Sequence, residues 1–196
     1  ALLCVSPYYN RPSQEGIARH FEAVADAAPV PLVLYNVPAR TASNVAVETT
    51  LRLARHPNVV ALKEACGDIT QALRILAQKP DDFYLLSGDD LMTLPMVLSG
   101  GEGVISVLAN AFPELFCSVV RTALDGDAAG ARAALKALFP LSELVYREGN
   151  PVGIKAALAL RGIGRPDVRL PLAPASRALT DALTQQIEAT GIAVRS

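Results

Sequence analysis

The chain has 196 residues, 51% of them hydrophobic, with 18 basic and 19 acidic side chains and a formal net charge of −1. This composition supports a sizeable core, yet no apolar run approaches the ~20 residues that span a bilayer. The near-neutral charge, without any Lys/Arg run, argues against nucleic acid or an anionic membrane as partner.

The first apolar run of strand length covers Ala1 to Val5, and others follow at Pro31 to Tyr35, Val59 to Leu62, Phe83 to Ser87 and Gly103 to Leu108. Comparable strand-end residues recur every 25 to 28 positions, and a segment of helical pattern follows each run. Near-continuous apolar strands alternating with amphipathic helices predict an α/β protein with a parallel sheet covered by helices. Polar residues gathered at the C-terminal ends of several strands point further, to a TIM (β/α)8 barrel with its site at that face. No Gly-x-Gly-x-x-Gly opens a helix and no Walker sequence is present, so a nucleotide-binding doubly wound sheet loses ground. After the fifth run come helical segments at Pro113 to Leu124, Ala128 to Val145, Pro151 to Leu160 and Ser176 to Ala189. The expected organisation is barrel strands and helices over 1–125, followed by a helical extension over 126–196.

Lys63 ends the third run and Tyr35 ends the second. A lysine at the end of a buried strand either extends its head into solvent or is used with a depressed pKa, because burial favours the neutral amine. A neutral amine is a nucleophile, which makes Lys63 the candidate for Schiff-base chemistry on a carbonyl, with Tyr35 as proton-transfer partner. Taken singly, a structural lysine with a solvated head fits the pattern as well. Cys4, Cys66 and Cys117 lie far apart without a Cys-x-x-Cys pair and read as reduced packing thiols of a cytoplasmic protein. His20 and His56 are too few for a His-rich metal site or a convincing nucleophile triad. Gly100-Gly101-Glu102-Gly103 precedes a strand, where phosphate loops precede a helix, and reads as a tight turn. Glu64 follows Lys63 and should face the other side of the sheet.

Five segments in order resemble the dihydrodipicolinate synthase family: Ser6 to Gly16 (SPYYNRPSQEG), Leu34 to Thr41 (LYNVPART), Leu62 to Ala65 (LKEA), Ser87 to Asp90 (SGDD) and Gly103 to Val107 (GVISV). Asn150 to Lys155 (NPVGIK) extends the resemblance towards the C-terminus. The resemblance implies a lysine, here Lys63, that forms an imine with pyruvate, and an enamine that attacks aspartate semialdehyde on the route to diaminopimelate and lysine. Tyr35 matches the tyrosine that shuttles protons beside the imine. Tyr9 matches one that reaches across a dimer interface into the neighbouring site, and Arg40 matches the arginine taken to bind the aldehyde's carboxylate. Gly88 and Asp89 match residues near the second-substrate pocket, although a Gly-Asp turn capping a helix from about Asp90 accounts for them equally well. Ile105 stands where the family offers backbone to the keto acid. No cofactor is implied, and the expected assembly is a homo-oligomer, a dimer of dimers.

The departures are specific. The family's Gly-x-x-Gly-Glu segment, with its proton-relaying threonine, has no equivalent in these residues. Of the residues expected at a lysine feedback site only Tyr8 is matched, and Ala42 stands where Gly is common. A barrel of eight units takes about 250 residues, so about three βα units are expected upstream, and the 196 residues alone are expected to be inactive. Three readings follow: a dihydrodipicolinate synthase or a piece of one, another class I pyruvate aldolase of sialic acid or sugar-acid type, or a non-enzymatic remnant. Arg40 favours the first over the second.

Overall fold

The structure, a computed structural model, describes residues 1–192 and 194. These form two compact units, Ala1–Ile105 and the residues from Ser106 onward. The first unit runs β1 (Leu2–Val5), α1 (Gln14–Ala27), β2 (Leu32–Asn36), α2 (Pro38–Thr41), α3 (Val47–Leu53), β3 (Val59–Glu64), α4 (Ile69–Leu76), β4 (Tyr84–Ser87), α5 (Thr93–Leu98) and β5 (Gly103–Val104). Every pairing is parallel, and the strands lie side by side in chain order. All five expected strands are present, and the last is shorter than its apolar run. After Val104 the amide of Ile105 still donates to the Ser87 carbonyl (2.9 Å), but the chain then turns into a 3-10 turn at Leu108–Asn110. Leu108 is buried there without being in a strand.

The sheet has two different faces because strand side chains alternate. Leu32, Leu34, Leu62 and Leu85 are buried together with Ile17 and Phe21 of α1, Leu53 of α3, Ile75 of α4 and Met96 of α5. Tyr35, Lys63 and Leu86 fall on the opposite face and are neighbours in register across β2, β3 and β4. The helices start where local chemistry starts them. Ser13, in extended backbone, accepts from the Gly16 amide to cap α1, and Asp68 accepts from the Thr70 amide to cap α4. Ile17, Phe21 and Ala25 then form the helical stripe by which α1 covers the sheet.

The second unit holds α6 (Pro113–Leu124), α7 (Ala128–Arg147), α8 (Val152–Leu160) and α9 (Arg177–Ala189). Each matches a helical segment of the sequence to within two residues at either end. Pro113 opens α6, where its missing N–H has no intrahelical partner to lose, and Asp127 caps α7 by accepting from the Gly130 amide. Within this unit α6 packs on α7. Gly153 explains its place in the Asn150–Lys155 segment: a Cβ there would overlap the Val145 carbonyl of α7. Gly153→Ala is therefore expected to destabilise this unit by about 3 kcal/mol through overpacking, measured as a lowered midpoint in thermal or urea unfolding. Among the described residues no helix is long and apolar enough to cross a membrane.

Candidate active site

The register between β2 and β3 sets Tyr35 beside Lys63, and the Lys63 Nζ lies 4.2 Å from the centroid of the Tyr35 ring. The ring face shields the Lys63 head from water, while its quadrupole attracts the ammonium form. Both side chains are half-buried. Burial holds the Lys63 pKa below the usual lysine range; the negative charge of Asp90 opposes that shift and the positive charge of Arg40 adds to it. Burial likewise raises the Tyr35 pKa, with Arg40 opposing. The pair is thus biased towards a neutral amine next to a protonated phenol, the state in which one attacks a carbonyl and the other carries a proton.

Gly88, at the end of β4, makes room for this arrangement. A Cβ on Gly88 would stand 3.0 Å from both Cγ and Cε of Lys63 and 2.8 Å from Cβ of Ala65. A side chain here would crowd Ala65 first and the Lys63 stem next. Asp89 is committed locally: its Oδ1 accepts from the amides of Leu91 (2.8 Å) and Met92 (3.2 Å). The helix that follows begins at Thr93, not near Asp90, because this Asp-centred turn occupies the intervening residues. Asp90 is buried, and of the two acids it is the one whose charge acts on Lys63. The only signal of it in the sequence is the Asp89-Asp90 doublet after a strand, which does not say which acid turns inward.

Arg40 lies on α2, immediately after β2, where Pro38 starts the helix and Ala42 ends it. Its guanidinium is close enough to influence both Tyr35 and Lys63. Ala42 adopts φ 57°, a left-handed conformation that favours glycine. Relief of that strain outweighs the added freedom of a glycine in the unfolded chain, so Ala42→Gly is expected to stabilise by roughly 0.5–1 kcal/mol, read as a higher unfolding midpoint. Ile105 uses its amide on Ser87, so any backbone role towards a ligand falls to its carbonyl. Tyr9 stands apart from the Lys63 group: it is 93% exposed and has φ 68°, with Tyr8 exposed beside it.

All three cysteines are free. Cys66 lies near the site, but burial and the Glu64 carboxylate push its thiol up to about 12, which leaves it protonated and unreactive. Glu64 faces away from Lys63, as the strand period requires, and accepts hydrogen bonds from Asn36, Gln71 and the Cys66 amide.

Comparison with known proteins gives one family. The profile of the Dihydrodipicolinate synthetase family matches residues 1–190. The 4-hydroxy-tetrahydrodipicolinate synthase of Flavobacterium psychrophilum is 46% identical over 184 residues, covering 93% of this chain and 63% of that protein. The enzyme of the same name from Moorella thermoacetica is 46% identical over 191 residues, covering 97% of this chain and 65% of that one. The chain therefore spans less than two thirds of the length of these curated relatives. The crystal structure of dihydrodipicolinate synthase from Aquifex aeolicus superimposes with a TM-score of 0.95 at 35% identity, over 99% of this chain and 67% of that chain. The one from Thermotoga maritima gives 0.94 at 37% identity over 97% and 66%. The five-stranded parallel sheet with its covering helices is accordingly part of a (β/α)8 barrel. With a family profile matched over 1–190 and relatives 46% identical over more than nine tenths of its length, the chain belongs to the dihydrodipicolinate synthetase family.

Proposed function

We propose that the protein carrying this chain condenses pyruvate with aspartate semialdehyde through a Schiff base on Lys63. The neutral Lys63 amine adds to the pyruvate ketone, and loss of water gives the imine. Removal of a methyl proton yields an enamine, whose carbon attacks the aldehyde while the aldehyde oxygen takes up a proton. The amine of the second substrate then displaces Lys63 as the ring closes, giving 4-hydroxy-tetrahydrodipicolinate and the free enzyme. Tyr35 moves the protons, since a phenol both donates and accepts. Arg40 holds the second substrate's carboxylate, Gly88 and Asp89 line its approach, and Ile105 offers backbone to the keto acid. The observation that carries this reading is the Lys63 amine set 4.2 Å from the Tyr35 ring centroid with its pKa depressed by burial.

The same reading makes the protein a cytoplasmic homo-oligomer, a dimer of dimers, with Tyr9 delivered into a neighbouring protomer's site. The exposure of Tyr8 and Tyr9 and the left-handed backbone at Tyr9 support that role, because strained loop conformations concentrate at functional positions. The direct experiment is borohydride reduction of the full-length protein in the presence of pyruvate, followed by peptide mapping. One reduced pyruvyl adduct on Lys63 is expected, since only an imine offers a reducible C=N bond. An adduct on Lys155, or none in an active enzyme, overturns the assignment.

A further inference from the structure

Beneath Lys63 and Tyr35, on the helix-covered side of the sheet, lies a polar cluster that the reaction itself does not use. Asn36 follows Tyr35 in β2 and Glu64 follows Lys63 in β3, so both point to the opposite face from their neighbours. The Asn36 Nδ2 donates to both Glu64 oxygens (2.9 and 3.1 Å) and to the Asn44 Oδ1 (2.8 Å). Gln71 of α4 donates through Nε2 to the Glu64 Oε2 (3.0 Å) and the Val45 carbonyl (3.2 Å), and accepts from the Asn44 Nδ2 (2.8 Å). Asn44 belongs to the segment that leads away from Arg40. That segment is clamped from its other side by Gln14, which donates to the Asn44 carbonyl (2.7 Å) and accepts from the Ala46 amide (3.0 Å).

Two backbone amides fix the direction of every bond. Val45 N–H donates to the Asn36 Oδ1 (3.0 Å), which leaves the Asn36 amide group only as donor towards Glu64 and Asn44. Cys66 N–H donates to the Glu64 Oε1 (2.8 Å). Position 64 is thus surrounded by donors and has to be an acceptor at both oxygens. Glutamine in its place would set an amide group against the Asn36 or Gln71 donors. Flipping Gln71 to relieve that would turn its oxygen towards the Val45 carbonyl, so no rearrangement satisfies all members. Buried networks of this kind hold one geometry when complete, and leaving a buried donor or acceptor of one member unpaired loosens chiefly the groups that member holds.

We infer that the Asn36–Asn44–Glu64–Gln71 cluster positions the site: Glu64 and Asn36 hold Lys63 and Tyr35 in register, and Asn44 holds the segment carrying Arg40. This rests on the Schiff-base reading above. The two arms predict different defects. In the full-length protein, Glu64→Gln is expected to slow formation of the borohydride-trappable pyruvate imine by roughly 10–100-fold, the scale of an ångström misplacement of reacting groups. Asn44→Ala is expected to leave the imine rate within about twofold of wild type and raise KM for aspartate semialdehyde roughly tenfold. In an Arg40→Ala background the Asn44→Ala effect on KM should vanish, because coupled residues are non-additive.

A purely structural cluster gives another pattern: lowered unfolding midpoints with imine rate and aldehyde KM unchanged, or an Asn44→Ala effect of equal size with and without Arg40. Either result overturns the inference. Should Glu64→Gln fail to fold, the Asn44→Ala pair decides alone. A wild-type protein without a Lys63 adduct overturns the Schiff-base reading and this assignment with it, whereas a normal wild-type adduct with unaffected variants overturns this assignment only.

Discussion

Replacement of Lys63 by alanine will abolish the pyruvate adduct and lower kcat/KM for the condensation by on the order of 10³-fold or more. Removal of a covalent nucleophile takes away the intermediate through which every later step runs, unlike loss of one hydrogen bond from a shared set. Lys63→Arg will be as inactive, since a guanidinium retains its proton throughout the accessible pH range. The pH dependence follows from the direction of the Lys63 shift. Imine formation uses the neutral amine, so its rate falls as pH drops through the folded-state pKa of Lys63. Burial moves that pKa below the ordinary lysine value, and the acid limb should therefore lie at a pH below the ~10.4 of a free lysine. Single-turnover trapping across pH measures the limb directly. A limb at the free-lysine value would show that Lys63 keeps its proton as in water, against the role given to it here.

Stability carries the same signature with its own sign. A lysine whose folded pKa is depressed binds fewer protons when folded than when unfolded. Its contribution to stability therefore rises with pH between the folded-state pKa and the unfolded value, and is flat below both.

Much of this was legible in the sequence for a simple reason. Strands buried under the helices on one face and half-buried on the other, such as Leu32–Asn36 and Val59–Glu64, present nearly unbroken apolar runs, and the regular spacing between them reports the βα repeat. Lys63 and Tyr35 stood out because a polar residue ending such a run breaks its pattern. The end of the sheet was harder to read: Val107 and Leu108 continue the apolar run, but Leu108 is buried in a 3-10 turn, and burial alone does not distinguish turn from strand. Asp90 and the Glu64 cluster were not legible at all. Asn36, Asn44, Glu64 and Gln71 come together only once β2, the following loop, β3 and α4 are assembled, and no single sequence window contains them. The steric reason for Gly88, its close approach to Ala65 and the Lys63 stem, exists only once β3 and β4 lie side by side.

Replacement of Arg40 by alanine will separate the two half-reactions. Arg40 is exposed in the unliganded chain, so its pair with the carboxylate reaches the order of 2–5 kcal/mol only where the bound substrate desolvates it; kcat/KM for aspartate semialdehyde should then fall by a corresponding factor while the Lys63 imine with pyruvate still forms. The electrostatics add a second, independent mark. Arg40 lowers the pKa of Lys63 and of Tyr35, so its removal should raise both and move the acid limb of imine formation to higher pH, opposite to any effect of added burial. An enzyme that merely unfolded in part would lose the imine as well and show no ordered shift of the limb. Aldehydes lacking the carboxylate should be used equally well by mutant and wild type once both are compared above the acid limb, because for them there is no ion pair to lose. If the mutant instead matches wild type with aspartate semialdehyde, the carboxylate is held elsewhere, and the aldolases that condense pyruvate with sugar-derived aldehydes become the better description of this site.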